Sequence, residues 1–338
     1  MEYGAIDLHA RRSQVCIVND QGEVVLERRL DTSRGDFLRV FGDRVPLRIL
    51  IESGTGSEWV AQLLEGLGHQ VIVVDPNFAA MYGQRRRTVK TDRRDAAALA
   101  AACRSGVYRA AHRIGRSTQI RRQQLRVRTH LIRVRTQAIN LLRATLRQEG
   151  IRLALGYPEG VERRLAQLPL PPDTAQVLAP LRRLLAHLGE QIAAADRWVT
   201  QTAATEPIAR RLMTVPGVGP VIALSFHATL DTPTRFGGDP ARASAYLGLV
   251  PAEYSSGERQ QKGRITKAGP PTMRALLVQA AWAVWRRPGV AGAALHVWVR
   301  RLADRRGRRI AIVVFVWRLS RILFAVWRDD RPFVPVAA

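Results

Sequence analysis

The chain has 338 residues, 46% of them hydrophobic and 6% aromatic, which is enough to bury two or three separate cores and too apolar for a disordered polymer. Its 53 basic residues against 28 acidic ones leave a formal charge of +25, which excludes an ordinary near-neutral metabolic enzyme and points to a polyanionic partner. Cys16 and Cys103 lie too far apart in sequence for a disulfide framework and no CxxC or HxxxH spacing occurs, which excludes a structural zinc site and an oxidising compartment.

The amino terminus runs straight into a strand-like segment with no signal-peptide pattern, so a cytoplasmic, nucleoid-associated protein is expected. Residues 3–8 and 13–19 read as strands, and the turn Asp20-Gln21-Gly22 joins them to a third at 23–29. A helix over Ser33 to Phe41 precedes the apolar run Leu47 to Ile51, whose continuous hydrophobicity predicts a strand buried on both faces and closed by Glu52. A helix from Gly56 to Leu67, a strand from Gln70 to Val74 and a helix beginning near Thr91 complete the domain. Three antiparallel strands followed by alternating helix and strand is the order of a ribonuclease H-like α/β domain.

That order brings four acids together. Asp7 lies in the first strand and Glu52 ends the fourth, beside it, while Asp92 and Asp95 share one face of the first turn of the helix after Thr91. Taken alone, Asp92 and Asp95 need do no more than favour the positive end of a helix dipole. With Asp7 and Glu52, however, they form a set that a divalent metal tolerates better than any other partner. Two Mg²⁺ ions (or Mn²⁺) about 4 Å apart in such a set can assist chemistry at a phosphodiester.

Between Asp95 and Glu149 the sequence has no acid and twelve arginines. Val127, Leu131, Val134, Ala138 and Leu141 recur at helical spacing, predicting a long helix over about 117–148 with a heptad-like seam. A second long helix is expected over about 174–202, with Val177, Leu181, Leu184, Leu188, Ile192, Ala195 and Val199 on its seam. The two either fold back on each other or pair with another subunit. Arg121, Arg122, Arg126, Arg128, Arg133 and Arg135 on the first are expected to grip phosphates.

From about Glu206 the composition is that of a compact domain. Val215-Pro216-Gly217-Val218-Gly219-Pro220 fits either a helix-hairpin-helix turn that approaches a phosphate or an ordinary tight turn. Residues 253–269 form a polar, basic, glycine-bearing stretch that reads as a loop, with Ser255 and Ser256 beside Arg259, Lys262, Arg264 and Lys267. A serine there can contact phosphate or attack phosphorus, and phosphate contact is the simpler role. Lys90, Lys262 and Lys267 are the chain's three lysines, and all lie beside the acid pair or in this stretch. Three helices with tryptophan in their cores follow, over 270–285, 292–303 and 308–327. The apolar run Ile310 to Trp317 is too short to cross a bilayer, so no membrane partner is expected.

Ile6-Asp7-Leu8-His9, Ile51-Glu52-Ser53-Gly54-Thr55-Gly56, Lys90-Thr91-Asp92 with Asp95, Pro216-Gly217-Val218-Gly219, and Tyr254-Ser255-Ser256-Gly257 followed by Thr266-Lys267-Ala268-Gly269 occur in one order along nearly the whole chain. In order and spacing this set resembles the IS one-ten family of insertion-sequence transposases. The resemblance implies a RuvC-like metal-dependent domain over 1–112, a coiled-coil insert for nucleic-acid binding and oligomerisation over 113–205, and a mainly α transposase domain with a catalytic serine over 206–338. It implies Asp7, Glu52, Asp92 and Asp95 as metal ligands and Ser256 as nucleophile, with Ser255 second. It further implies donor and target DNA, a structured guide (bridge) RNA, and a tetramer built as a dimer of dimers, in which the metal site of one subunit faces the serine of another. Cleavage would leave a phosphoserine link, with strand exchange through a Holliday junction. Two other readings stand beside this one: a metal-only Holliday-junction-type endonuclease, and a non-catalytic nucleic-acid-binding scaffold.

Overall fold

The structure, a computed structural model, describes residues 1–78, 91–253 and 261–335. Its internal contacts divide the chain into two compact units, Met1–Arg113 and Ile114–Ala338.

In the first unit β1 (Tyr3–Asp7), β2 (Arg12–Val18) and β3 (Val24–Asp31) form an antiparallel meander. The chain continues through α1 (Arg34–Phe41), β4 (Arg48–Glu52), α2 (Ser57–Gly66), β5 (Gln70–Val74) and α3 (Asp92–Ser105). The sheet order is β3-β2-β1-β4-β5, with β4 parallel to β1 and β5 parallel to β4. Helices cover both faces, which is why the interior strand β4 carries an unbroken apolar run with Ile49, Leu50 and Ile51 fully buried. On one face α1 and α2 pack against Ile6, Ile17, Ile49 and Ile51. On the other, α3 packs against Ala5, Cys16, Leu50 and Val74. Burial pushes the Cys16 thiol up to about 11 and Cys103 up to about 12, so both serve as unreactive apolar fillers of that core.

Residues of one strand alternate between these faces. Asp7 follows Ala5 on the α3 side, and Glu52 follows Leu50 on the same side. Because Ile6 pairs with Ile51, Asp7 and Glu52 are the next register neighbours at the ends of two parallel strands. At α3 the Thr91 hydroxyl accepts the Arg94 N–H at 3.3 Å, which fixes the start of the helix.

The second unit contains α4 (Arg116–Gln148), α5 (Val161–Leu165), α6 (Pro172–Thr205), α7 (Pro207–Leu212), α8 (Pro220–Leu230) and α9 (Pro240–Tyr246). A ribbon of β6 (Pro251–Glu253) and β7 (Lys262–Ile265) follows, then α10 (Pro271–Arg286), α11 (Ala293–Arg306) and α12 (Arg308–Arg328). The two long helices, α4 and α6, fold back on each other within the chain.

Their seam differs from the expected one. Val127 and Leu141 on α4 and Val177 and Leu184 on α6 are exposed, whereas Ala138, Leu188, Ile192 and Val199 are buried as expected. The inward line of α4 is Thr118, Leu125, Ile132, Ile139 and Leu146 at heptad spacing, and the alternate seam positions are Arg121, Arg128, Arg135 and Leu142. Each of the three arginines meets an acid: Arg121 bonds Glu206, Arg128 bonds Asp196 at 2.5 Å, and Arg135 bonds Glu159 at 2.9 Å. Cations at every second seam position break the hydrophobic period, so a pattern search settles on the neighbouring stripe instead.

Helix α12 is 21 residues long and, by length and composition alone, apolar enough to cross a membrane, but more than half of that stretch is buried inside the protein, as expected of a packed helix. Phe315, Leu319, Leu323 and Phe324 on it are buried in the core formed with α8, α9 and α10. Val215 and Val218, in the turn between α7 and α8, belong to the same core, so that turn is used for packing.

The stretch 253–269 is not all loop. Pro251 pairs with Ile265 and Glu253 with Lys262, while residues 254–260 lie outside the described residues. The base of this ribbon is tied to the end of α9 by two glycines at positive φ. A Cβ on Gly248 would lie 2.0 Å from the Ala268 carbonyl oxygen, and one on Gly269 would lie 2.0 Å from that of Tyr246. Arg274 Nη1 donates to the carbonyls of Leu247, Ala268 and Gly269 at 3.0–3.1 Å. Gly269→Ala combines a backbone clash with an unfavourable φ, so it is expected to destabilise the second unit by about 3 kcal/mol, lowering Tm by roughly 6–12 °C in calorimetry. Equal melting temperatures would refute the close backbone crossing.

Candidate metal centre

Asp7 is buried, with 7% of its surface exposed, although it ends a strand whose other residues are mostly apolar. Asp95, in the first turn of α3, is equally buried at 8%. Asp92, three residues earlier, has a half-exposed side chain, so the cluster has a dry floor and an open side. Ligand atoms of Asp7, His9 and Asp92 all lie within 4.8 Å of one another. Glu52 reaches the same face and the same end of the sheet by register.

His9 has no role in the expectations drawn from sequence. Its Nε2 lies 3.3 Å from Asp7 Oδ2 and 3.5 Å from Asp92 Oδ1, between the strand acid and the helix acid. The signal that could have found it is parity: two residues beyond Asp7, it continues the same face as the chain leaves β1.

Electrostatics give the cluster its character. Burial pushes the Asp7 carboxyl above its ordinary value, Asp92 and Asp95 push it further, and His9 opposes the shift. The positive end of α3 favours carboxylates at Asp92 and Asp95, so the helix-dipole role is met. It does not explain why a third acid is buried against them. Hard oxygen donors on one face, with one imidazole within reach, fit a divalent cation.

The remaining expected residues are distributed as follows. Lys90, Arg259 and both candidate serines, Ser255 and Ser256, lie outside the described residues. Lys262 and Arg264 are exposed on β7, and Lys267 is exposed with φ of 55° just beyond it. Arg126 and Arg133 are exposed on α4. Arg121, Arg128 and Arg135 are committed to the seam. Arg122 donates through Nε to the Ala228 carbonyl at 2.5 Å and through Nη2 to that of Thr229 at 2.9 Å, closing the carboxyl end of α8.

Comparison with known proteins gives the class. Residues 5–150, which contain all four acids, match the transposase family model DEDD_Tnp_IS110. Residues 209–296, which contain Ser256, match the model described as Transposase IS116/IS110/IS902 family. The chain is 28% identical over 335 residues to the transposase for insertion sequence element IS1328 of Yersinia enterocolitica, covering 97% of each protein. It is 30% identical over 323 residues to putative transposase y4pF/y4sB of Sinorhizobium fredii, covering 94% of this chain and 81% of that one. It is 26% identical over 335 residues to the transposase for insertion sequence element IS1111A of Coxiella burnetii, covering 95% and 88%. The protein belongs to the IS110 family of insertion-sequence transposases.

Asp7 provides a test that needs no DNA. A folded-state pKa above the ordinary 3.8 means that the native protein binds this proton more tightly than the unfolded chain does. Stability from Asp7 is therefore greatest at low pH and is lost as pH rises through the folded value, leaving an unfavourable buried charge at pH 7. Asp7→Asn is expected to raise Tm of the metal-free protein at pH 7 in calorimetry. It should also abolish stabilisation by Mn²⁺, which for an intact site at a hundredfold excess over Kd is about 2.7 kcal/mol. A fall in metal-free Tm with retained Mn²⁺ stabilisation would contradict the assignment.

Proposed function

We propose that this transposase is a DNA recombinase in which the acid cluster and Ser256 act on the same phosphodiester, with a guide RNA selecting the DNA. The observation that carries the metal half is the gathering of ligand atoms of Asp7, His9 and Asp92 within 4.8 Å of one another, with Asp95 in the same helix turn and Glu52 next in the strand register. The sheet order β3-β2-β1-β4-β5, with α3 bearing the last two acids, supports a RuvC-like, ribonuclease H-like reading of the first unit. Asp7, Glu52, Asp92 and Asp95 would hold divalent metal, which when bound supplies Lewis-acid stabilisation of oxygens whose charge develops at phosphorus. His9, between Asp7 and Asp92, orients those two carboxylates.

The serine half rests on the family resemblance and on the ribbon that brackets residue 256. Ser256 Oγ attacks phosphorus, forming an Oγ–P bond as the P–O bond to the leaving deoxyribose oxygen breaks. The serine proton passes to a base and the leaving oxygen takes one up. The product is a phosphoserine link that stores the bond energy for rejoining to a new strand, and strand exchange passes through a Holliday junction. Lys262, Arg264 and Lys267, exposed beside the segment, contact phosphates of the bound strand, as do Lys90 and Arg259. Residues 113–205 serve nucleic-acid binding and oligomerisation, residues 206–338 carry the serine, and the working assembly is a tetramer on donor and target DNA.

A suicide substrate that traps cleaved strands tests this reading. Wild-type protein with Mg²⁺ and guide RNA should yield a DNA-linked peptide containing Ser256. Ser256→Ala should abolish the adduct, and Asp7→Ala or Asp92→Ala should reduce it at least a hundredfold, on the order of 3 kcal/mol in the barrier. An adduct of normal yield in Ser256→Ala would refute the nucleophile. Cleavage without any adduct in wild type would favour metal-only hydrolysis.

A further inference from the structure

In the second unit a cavity of about 520 Å³ opens between α4, α8, the end of α9 and the start of α10. That volume lies within the roughly 300–1,000 Å³ typical of small-ligand sites. Its floor is apolar: Leu125 and Met273 are buried there, and Leu276 lies beside them. Tyr246 forms part of the wall, and the Arg235 guanidinium sits 4.3 Å from its ring centroid, which holds the ring in place. Arg122 is fixed in another wall by its bonds to the carbonyls of Ala228 and Thr229.

The mouth is cationic. Arg126 and Arg133, seven residues apart, project from one face with His130 between them. Arg121, Arg128 and Arg135 each have a carboxylate, but neither Arg126 nor Arg133 has one among the described residues. Thr272 stands at the edge, where α10 starts without a side-chain cap.

An apolar slot with an aromatic wall and two unneutralised guanidinium groups at its rim has the chemistry of one nucleotide. The base would lie in the slot, and the phosphates on either side would meet the rim. A base inside a duplex offers only its edges, so the occupant must be unpaired and unstacked. We infer that this cavity binds a single extruded nucleotide of the nucleic acid on which the transposase acts, an inference that rests on the nucleic-acid reading above. Arg126 and Arg133 take the flanking phosphates, and Tyr246, Leu125 and Met273 take the base. The strand can be displaced DNA or guide RNA, because base and phosphate are common to both.

The full-length protein is tested with single-stranded DNA and RNA of the same sequence carrying one 5-iodouracil, and with a fully paired DNA duplex. Irradiation of the wild type should cross-link the iodinated strand to a peptide containing Tyr246 or to the first turns of α10. Arg126→Ala combined with Arg133→Ala should weaken single-strand binding at least tenfold. The combination should also lower the slope of log affinity against log salt by about 1.4, two phosphates at about 0.7 each. Thr272→Trp, at an exposed position on the rim, should block the cross-link while changing duplex affinity less than twofold. Cross-linking confined to one strand type identifies the source as DNA or RNA. Single-strand binding that is unchanged in both variants, with no cross-link in this cavity, overturns the inference and leaves the transposase reading intact. Wild-type protein that binds neither strand nor duplex overturns both.

Discussion

A carboxylate buried at the end of a strand, with two further acids raising its affinity for a proton, is the constraint on which the first unit depends. Nothing in the packing of an α/β layer calls for Asp7 to be charged, and an apolar residue there would extend the Ala5 and Leu50 core. The parallel pairing of β1 with β4 places Glu52 level with it, and the Thr91 cap directs the first turn of α3 at the same corner. Strand register, strand order and a helix cap therefore share one outcome, the crowding of like charge. Such crowding lowers the stability of the folded protein and persists where a cation repays it. Among the described residues His9, which lies between two of the acids, opposes the shift on Asp7.

The second unit handles the opposite charge in an analogous way. Arginines at 121, 128 and 135 occupy positions that a coiled coil ordinarily fills with leucine. Each is tolerated because its long stem packs along the seam while its head meets an acid from outside α4. Three acids in this region are thereby committed to internal pairs, while Arg126, His130 and Arg133 on α4 stay exposed. The helix thus separates its cations into a paired row on the seam and an exposed row on a nearly opposite face.

This separation marks where sequence reasoning succeeds and where it stops. The element boundaries of the first unit, including the cap at Thr91 and the doubly buried β4, follow from local signals and appear as expected. The placement of Asp7 on the α3 face and of Asp92 and Asp95 in the first turn of α3 follows from strand parity and helix spacing, which are short-range rules. The α4 seam was not, because a hydrophobic period cannot register a seam half made of arginine. His9 was missed because its position depends on how the chain leaves β1. The ribbon of β6 and β7 was read as loop because its strands are short and polar, and its anchoring through Gly248, Gly269 and Arg274 is entirely tertiary.

The arginine content therefore overstates the nucleic-acid footprint. Of the six α4 arginines expected on phosphates, three are seam ion pairs and Arg122 is bonded to the carboxyl end of α8. A salt slope proportional to all six would require breaking pairs that hold α4 to the rest of its unit, which counterion release alone does not supply. Of the other cations expected on phosphates, those that make no ion pair among the described residues lie beside particular surfaces: Arg126 and Arg133 at an apolar cavity, and Lys262, Arg264 and Lys267 near the segment that carries Ser256 in sequence. In so basic a chain, specificity for where a strand lies comes less from the amount of positive charge than from which positive charges the acids leave unpaired.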